Sequence, residues 1–259
     1  MSDATTDTTG KALIVALAVG FICALLVSAV SVGLRPLQKA NIEAERVAQL
    51  ELVIDALSGI GSVESISDLV VRIVDLETGQ YIDGIDAETF NAERAATQPA
   101  SSIALPADSD IAGLKRRERH ARIYLVLDAE QRPDLIILPI RGRGYQSMLY
   151  AWLALDGDTQ TVRALKVYQH GETPGVGARI LEPEWEGQWQ GLRAFDDQGV
   201  LRIGVKRLAG SSFDEYAAYK VDAISGATRT TQGVDGMVRF WLGKDGFAPF
   251  LKRLQQGQI

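Results

Sequence analysis

From Ala12 to Leu34 the chain carries no charged side chain, and these 23 positions, at about 1.5 Å of rise each, reach across the ~30 Å hydrocarbon core of a bilayer. The run predicts a transmembrane helix. A cleaved secretory signal is the rival reading, since Val27-Ser28-Ala29 offers small residues of the kind a signal peptidase accepts. The run is longer than a signal core of roughly 7–15 residues, and its upstream flank holds Asp3 and Asp7 with Lys11 as the sole basic residue. A retained anchor fits better. Before it, residues 1–11 are rich in Thr and Asp and are expected to form a mobile tail. After it, Ile42, Val47, Leu50, Val53, Ile54 and Leu57 recur at helical spacing and stop before Ser58-Gly59-Ile60-Gly61. A connecting helix over 35–60 is expected, with a water-facing domain over 61–259.

That domain has ordinary globular composition, 46% hydrophobic and 23% charged over the chain. The net charge of −6 gives no nucleic-acid footprint, and the short basic cluster from Lys115 to Arg122 does not reverse it. The cluster reads as a solvated helix face, with a protein-docking surface as the sharper alternative. A single cysteine, Cys23 inside the apolar run, excludes an intramolecular disulfide, and the only histidines, His120 and His170, lie far apart. No transition metal is expected.

Strands dominate the pattern. Leu69–Asp75 and Gln80–Asp83 around Glu77-Thr78-Gly79 read as a hairpin, and Arg122–Leu127 with Leu135–Ile140 as a second one. Tyr150–Leu155, Arg163–Tyr168 and Leu201–Val205 are further strand candidates, whereas 88–111 reads as a long loop or short helix. No internal repeat or further boundary is visible after residue 61. The fold class expected is α+β, with peripheral helices on a set of strands.

Chemistry concentrates in the run Asp222-Ala223-Ile224-Ser225-Gly226-Ala227-Thr228-Arg229-Thr230-Thr231. Val234, Met237, Val238, Trp241 and Leu242 follow at three- and four-residue spacing, so Thr228 stands at or just before a helix N-terminus. Free backbone N–H groups and the positive end of the helix dipole would face an anion there, and Arg229 adds a full charge. An ordinary helix cap, worth about 1 kcal/mol, is the bland alternative. A second constellation, His170-Gly171-Glu172-Thr173-Pro174-Gly175-Val176-Gly177, holds three glycines and a proline and must be a shaped loop. A third, Pro139-Ile140-Arg141-Gly142-Arg143-Gly144-Tyr145, is a Gly-rich lead into a helix or strand. No nucleophile elbow, Walker loop or dinucleotide Gly-x-Gly-x-x-Gly motif is present.

Ser225-Gly226-Ala227-Thr228, preceded by Asp222, resembles the flavinylation motif of FMN-binding domains in bacterial respiratory complexes. The resemblance implies that Thr228 carries FMN through a phosphoester, with Asp222, Ser225, Gly226, Ala227 and Thr230 around the attachment point. It also implies that Glu172, Thr173, Gly175 and Val176 run along the isoalloxazine ring or ribityl chain, Val176 standing where a Leu is expected. Tyr145 would stack on the ring, or else be an interfacial core aromatic. Lys206 is either a solvated lysine or an ammonium near the flavin that favours its reduced, anionic form.

Over a longer span, Val32-Gly33-Leu34-Arg35, Gln38-Lys39-Ala40-Asn41 and the run from Trp241 to Leu251 are similar to the C-subunit family of Na+-translocating NADH:quinone oxidoreductases. This likeness implies an electron relay without complete catalysis of its own. Its partners would be the other membrane subunits, with NADH bound on one of them, and a flavin transferase for maturation. The flavin domain would lie on the periplasmic side of the inner membrane. Charge points the other way, because Arg35, Lys39 and Arg46 follow the apolar run while Lys11 alone precedes it. The flavinylated G subunit of the sister ferredoxin-linked complex is an alternative, as is an anchored binding or scaffold module without flavin.

Overall fold

A computed structural model describes residues 10–28, 32–34, 69–206 and 218–258. The chain divides into two units, residues 1–50 and 51–259. In the first, helix α1 (Gly10–Leu34) is long and apolar enough to cross a membrane. The expected connecting helix over 35–60 lies outside the described residues.

The second unit is built from β1 (Leu69–Asp75), α2 (Ala92–Thr97), β2 (Ser102–Ala104), β3 (Arg116–Glu118), β4 (His120–Leu127), β5 (Pro133–Arg143), β6 (Met148–Asp156), β7 (Val162–Gln169), α3 (Pro183–Gly187), β8 (Gly204–Val205), β9 (Lys220–Val221), α4 (Thr228–Trp241) and α5 (Ala248–Gln255). With α1 this is an α+β chain. Five strands form an antiparallel sheet in the order β1-β4-β5-β6-β7. On one face, Ile123 and Leu125 of β4, Ile136, Leu138 and Ile140 of β5, and Ala151, Leu153 and Leu155 of β6 join Val234, Met237, Val238 and Trp241 of α4 in one core. On the opposite face Tyr124, Ile137 and Trp152 are buried too, with the Tyr124 and Trp152 rings edge to face at 5.4 Å. The central strands are therefore apolar on both sides, which is why they stand out in the sequence as near-continuous apolar runs.

Helix α4 lies unusually close to β5 because glycines face it. A Cβ on Gly142 would stand 2.7 Å from that of Met237, one on Gly233 would meet the Arg143 carbonyl oxygen at 2.5 Å, and one on Gly236 would meet the Ile111 carbonyl oxygen at 2.2 Å. At the far end of the helix, the Trp241 indole N–H donates to the Arg141 carbonyl at 2.7 Å.

Some expectations need correction. The basic cluster from Lys115 to Arg122 is no helix face: it supplies β3 and the start of β4, with Arg117 only 4% and Glu118 1% exposed. Positive φ angles at Gly113 (67°) and Lys115 (63°) are incompatible with a helix there. The Glu118 carboxylate takes both terminal nitrogens of Arg141, one at 2.7 Å, across 23 residues of sequence. The 69–83 hairpin is short: one edge of β1 pairs along its whole length with β4, from Leu69↔Val126 to Asp75↔His120, and the other carries only the Val74 to Tyr81 bridge, with the Asp75 N–H donating to the Gln80 carbonyl and the Ile82 N–H to the Ile73 carbonyl. Region 88–111 holds the short helix α2 and loop, as expected, and in addition the short strand β2. In 201–205 only Gly204–Val205 is a strand, since Leu201 folds back on Phe195.

Gly236→Ala drives a methyl group into the backbone of Ile111 and is expected to destabilise the full-length protein in detergent by about 1–3 kcal/mol. Gly187→Ala, where the added methyl meets nothing within 4 Å, should leave the thermal midpoint unchanged or slightly raised; scanning calorimetry of both variants checks the pair.

Candidate functional site

Helix α4 begins at Thr228, as the apolar spacing predicts, yet none of the nearby hydroxyls caps it. The N-cap residue is Ala227, which makes no side-chain hydrogen bond. Thr231 turns its hydroxyl back onto the carbonyls of Ala227 (3.2 Å) and Thr228 (3.1 Å), and Thr230 donates to the Glu172 carboxylate at 2.6 Å. Ser225, Gly226, Thr228 and Arg229 are exposed, while Ala227, Thr230 and Thr231 are buried. Gly226 has φ 81° with open space where a side chain would be, so the turn into the helix needs a glycine and leaves room above it. The helix thus presents its positive end to solvent without a side-chain cap, beside an exposed hydroxyl and an arginine.

Two other segments close on this point. The turn 144–147 joins β5 to β6, and the loop 170–177 leaves β7. Glu172, 4% exposed, binds them together: its carboxylate accepts the backbone N–H of Tyr145 (3.3 Å), Gln146 (2.9 Å) and Ser147 (3.2 Å) besides the Thr230 hydroxyl. Burial by itself would raise the carboxyl pKa; these four donors outweigh it and hold the group below the ordinary glutamate range. Two glycines make the approach feasible. A Cβ on Gly144 would stand 2.5 Å from a Glu172 carboxylate oxygen, and one on Gly177 would stand 2.7 Å from the Thr230 hydroxyl.

Tyr145, 49% exposed, carries the Arg229 guanidinium over its ring at 5.2 Å from the centroid. Val176 is 44% exposed, next to Gly177. The loop keeps its shape through the Thr173 carbonyl, which accepts the N–H of Val176 and Ala178, and through Gly175 at φ 71°; Thr173 and Gly175 are themselves exposed. The stretch before the helix is fixed through its backbone. Asp222 accepts the Trp185 indole N–H on its carbonyl and donates its N–H to the Gln188 side chain, both at 2.8 Å. Its carboxylate pairs with the Lys206 ammonium at 3.2 Å, which brings Lys206 beside the motif.

All twelve residues expected at the site therefore fall on these segments or touch them. Glu172, Thr230 and Ala227 lie beneath the surface; Tyr145, Thr173, Gly175, Val176, Asp222, Ser225, Gly226 and Thr228 are exposed on it, and Lys206 is half-buried. The sequence motifs do not single out Trp185 and Gln188; the four-residue spacing of Trp185 and Trp189 is the available sign of a buried helical turn. An open groove elsewhere, lined among others by Gln160, Arg193, Asp196, Lys252 and Gln255, includes none of these residues. Among the described residues no group of three or more His, Cys, Asp and Glu is placed to hold a metal ion. A positive helix end next to an exposed tyrosine and an exposed valine suits a phosphate that carries a flat ring system.

A family model described as FMN-binding domain matches residues 144–243, which span all three segments. The C subunit of the Na(+)-translocating NADH-quinone reductase of Pseudomonas aeruginosa is 39% identical, over 97% of this chain and 98% of its own length. Its counterpart in Yersinia pestis is 37% identical, over 98% and 96%. Among solved structures, NqrC of Shewanella oneidensis superposes with a TM-score of 0.65 at 33% identity, over 73% of this chain and 85% of that one. The corresponding C subunit of Parabacteroides distasonis gives 0.53 at 26% identity, over 70% and 77%.

The Glu172 carboxyl is depressed in the folded state, so its stabilisation is complete above the unfolded value of about 4.3 and is lost as pH falls through the lower folded value. Glu172→Gln is expected to cost about 1–3 kcal/mol at neutral pH. The gap to wild type should narrow below about pH 4, which unfolding curves across a pH series check.

Proposed function

The chain belongs to the C-subunit family of the Na(+)-translocating NADH-quinone reductases, and from that premise we propose that it carries FMN on Thr228 as a phosphoester. It is an electron-carrying subunit of an oxidoreductase complex and is not catalytically complete alone. The observation that carries the attachment reading is the exposed Thr228 hydroxyl at the side-chain-uncapped start of a helix whose body is buried.

Relative to free FMN, a bond forms between the Thr228 oxygen and phosphorus and the elements of water are lost. Backbone N–H groups of the first turn of α4 and the Arg229 cation would hold the remaining phosphate charge. Ser225 and Gly226 would border the phosphate; Tyr145, Thr173, Gly175 and Val176 would line the ring. Lys206, steered by Asp222, would lend positive charge beside it. When bound, FMN supplies reversible electron transfer. The phosphoester leaves the ring system chemically unaltered and prevents loss of the cofactor. NADH oxidation and quinone reduction belong to the other membrane subunits, and a separate flavin transferase installs the group. In this reading 12–34 anchors the chain in the bacterial inner membrane, 35–60 connects, and 61–259 is the flavin domain, held on the periplasmic side.

Co-expression with a flavin transferase, followed by intact-mass analysis and in-gel fluorescence after denaturation, tests the attachment. Wild type should gain the mass of FMN less one water and fluoresce, and Thr228→Ala should do neither. An unmodified wild type would leave the helix end as a solvated terminus and overturn the proposal.

A further inference from the structure

The geometry points to Glu172 as the positioning residue of the flavin site: it clamps the Tyr145 turn to the first turn of α4, and so fixes the tyrosine ring relative to Thr228. This inference rests on the attachment of FMN to Thr228. Three successive backbone N–H groups, those of Tyr145, Gln146 and Ser147, converge on one carboxylate, which is how a chain binds an anion through its main chain. Here the anion is the protein's own. Its remaining bond goes to Thr230, two residues beyond Thr228 on α4 and 58 residues away in sequence. The clamp spans two elements that also meet at this end through the Gly233 contact with Arg143 and Gly144 and the stacking of Arg229 on Tyr145. It is closed to solvent, with Gly144 and Gly177 shaped around it. No side-chain cation stands among these four donors to the carboxylate.

The consequence is a ring site that exists before the cofactor arrives. A flavin attached to Thr228 is then held as a fixed relay. With the clamp opened, it would be a loosely tethered group that still carries electrons but wanders.

The test compares full-length wild type, Glu172→Gln and Thr230→Val, each co-expressed with a flavin transferase. Intact mass reads attachment, circular dichroism reads folding, and time-resolved flavin fluorescence anisotropy reads freedom of the ring. Glu172→Gln keeps the shape but turns an amide NH2 toward backbone donors, and Thr230→Val removes one arm of the clamp. Both variants should remain folded and flavinylated yet show a fast depolarisation absent from wild type, larger for Glu172→Gln. Acidification through the Glu172 titration should produce the same fast component in wild type and leave Glu172→Gln unaltered, a response that loss of packing alone would not give. A ring as immobile in both variants as in wild type, at every pH, overturns the clamp while leaving attachment intact. A wild type without the added mass overturns the attachment instead. Should Glu172→Gln fail to fold, Thr230→Val alone decides.

Discussion

The distance between α4 and β5 governs the rest of the domain. Gly142 on the strand and Gly233 on the helix let the two backbones come closer than larger residues would permit, Gly236 does the same for the Ile111 backbone, and the Trp241 indole pins the far end to the Arg141 carbonyl. Val234, Met237, Val238, Phe240 and Trp241 are all buried from that position, each worth about 1.5–3 kcal/mol of apolar burial. A missing N-cap costs only about 1 kcal/mol. The body of the helix thus secures it firmly enough that its first turn can stay open to solvent, at the end of the sheet where the 144–147 turn and the 170–177 loop emerge.

Two buried carboxylates serve this frame in different ways. Glu118 is matched by Arg141, a full charge pair that ties β3 to β5 and sits beside the Trp241 ring, 5.5 Å from the arginine carbon to the ring centroid. Burial disfavours the Arg141 charge and the Glu118 carboxylate more than restores it, leaving the guanidinium pKa raised. The cost of taking both charges out of water offsets most of the Coulomb gain of such a pair, whereas removing one partner alone would leave an uncompensated buried charge. Glu172 faces backbone dipoles and a hydroxyl instead. Its energy depends on the turn and the helix holding their relative positions, which makes it sensitive to geometry at the site itself.

The strands β4 to β6 are legible in the sequence because burial on both faces writes long apolar runs such as Leu135–Ile140, and the start of α4 is legible because its apolar spacing begins only after Thr228. The hydroxyls mislead for a physical reason. Ser, Thr and Asp before a helix read as caps, but Thr230 and Thr231 direct theirs to Glu172 and to the preceding carbonyls. The cluster 115–122 resists reading because its arrangement depends on two positive φ angles and on a partner 23 residues away, neither of which a charge pattern records. Segments 145, 172–176 and 222–228 can each be singled out as unusual. That a carboxylate joins the first two to α4 emerges only from the fold.

Thr228 is exposed although nearly everything that places it is buried. Its presentation at a helix start exists only once α4 has docked on β5. Under the proposed attachment, folding would therefore come before modification, and a chain that failed to dock α4 would not display the hydroxyl in this setting.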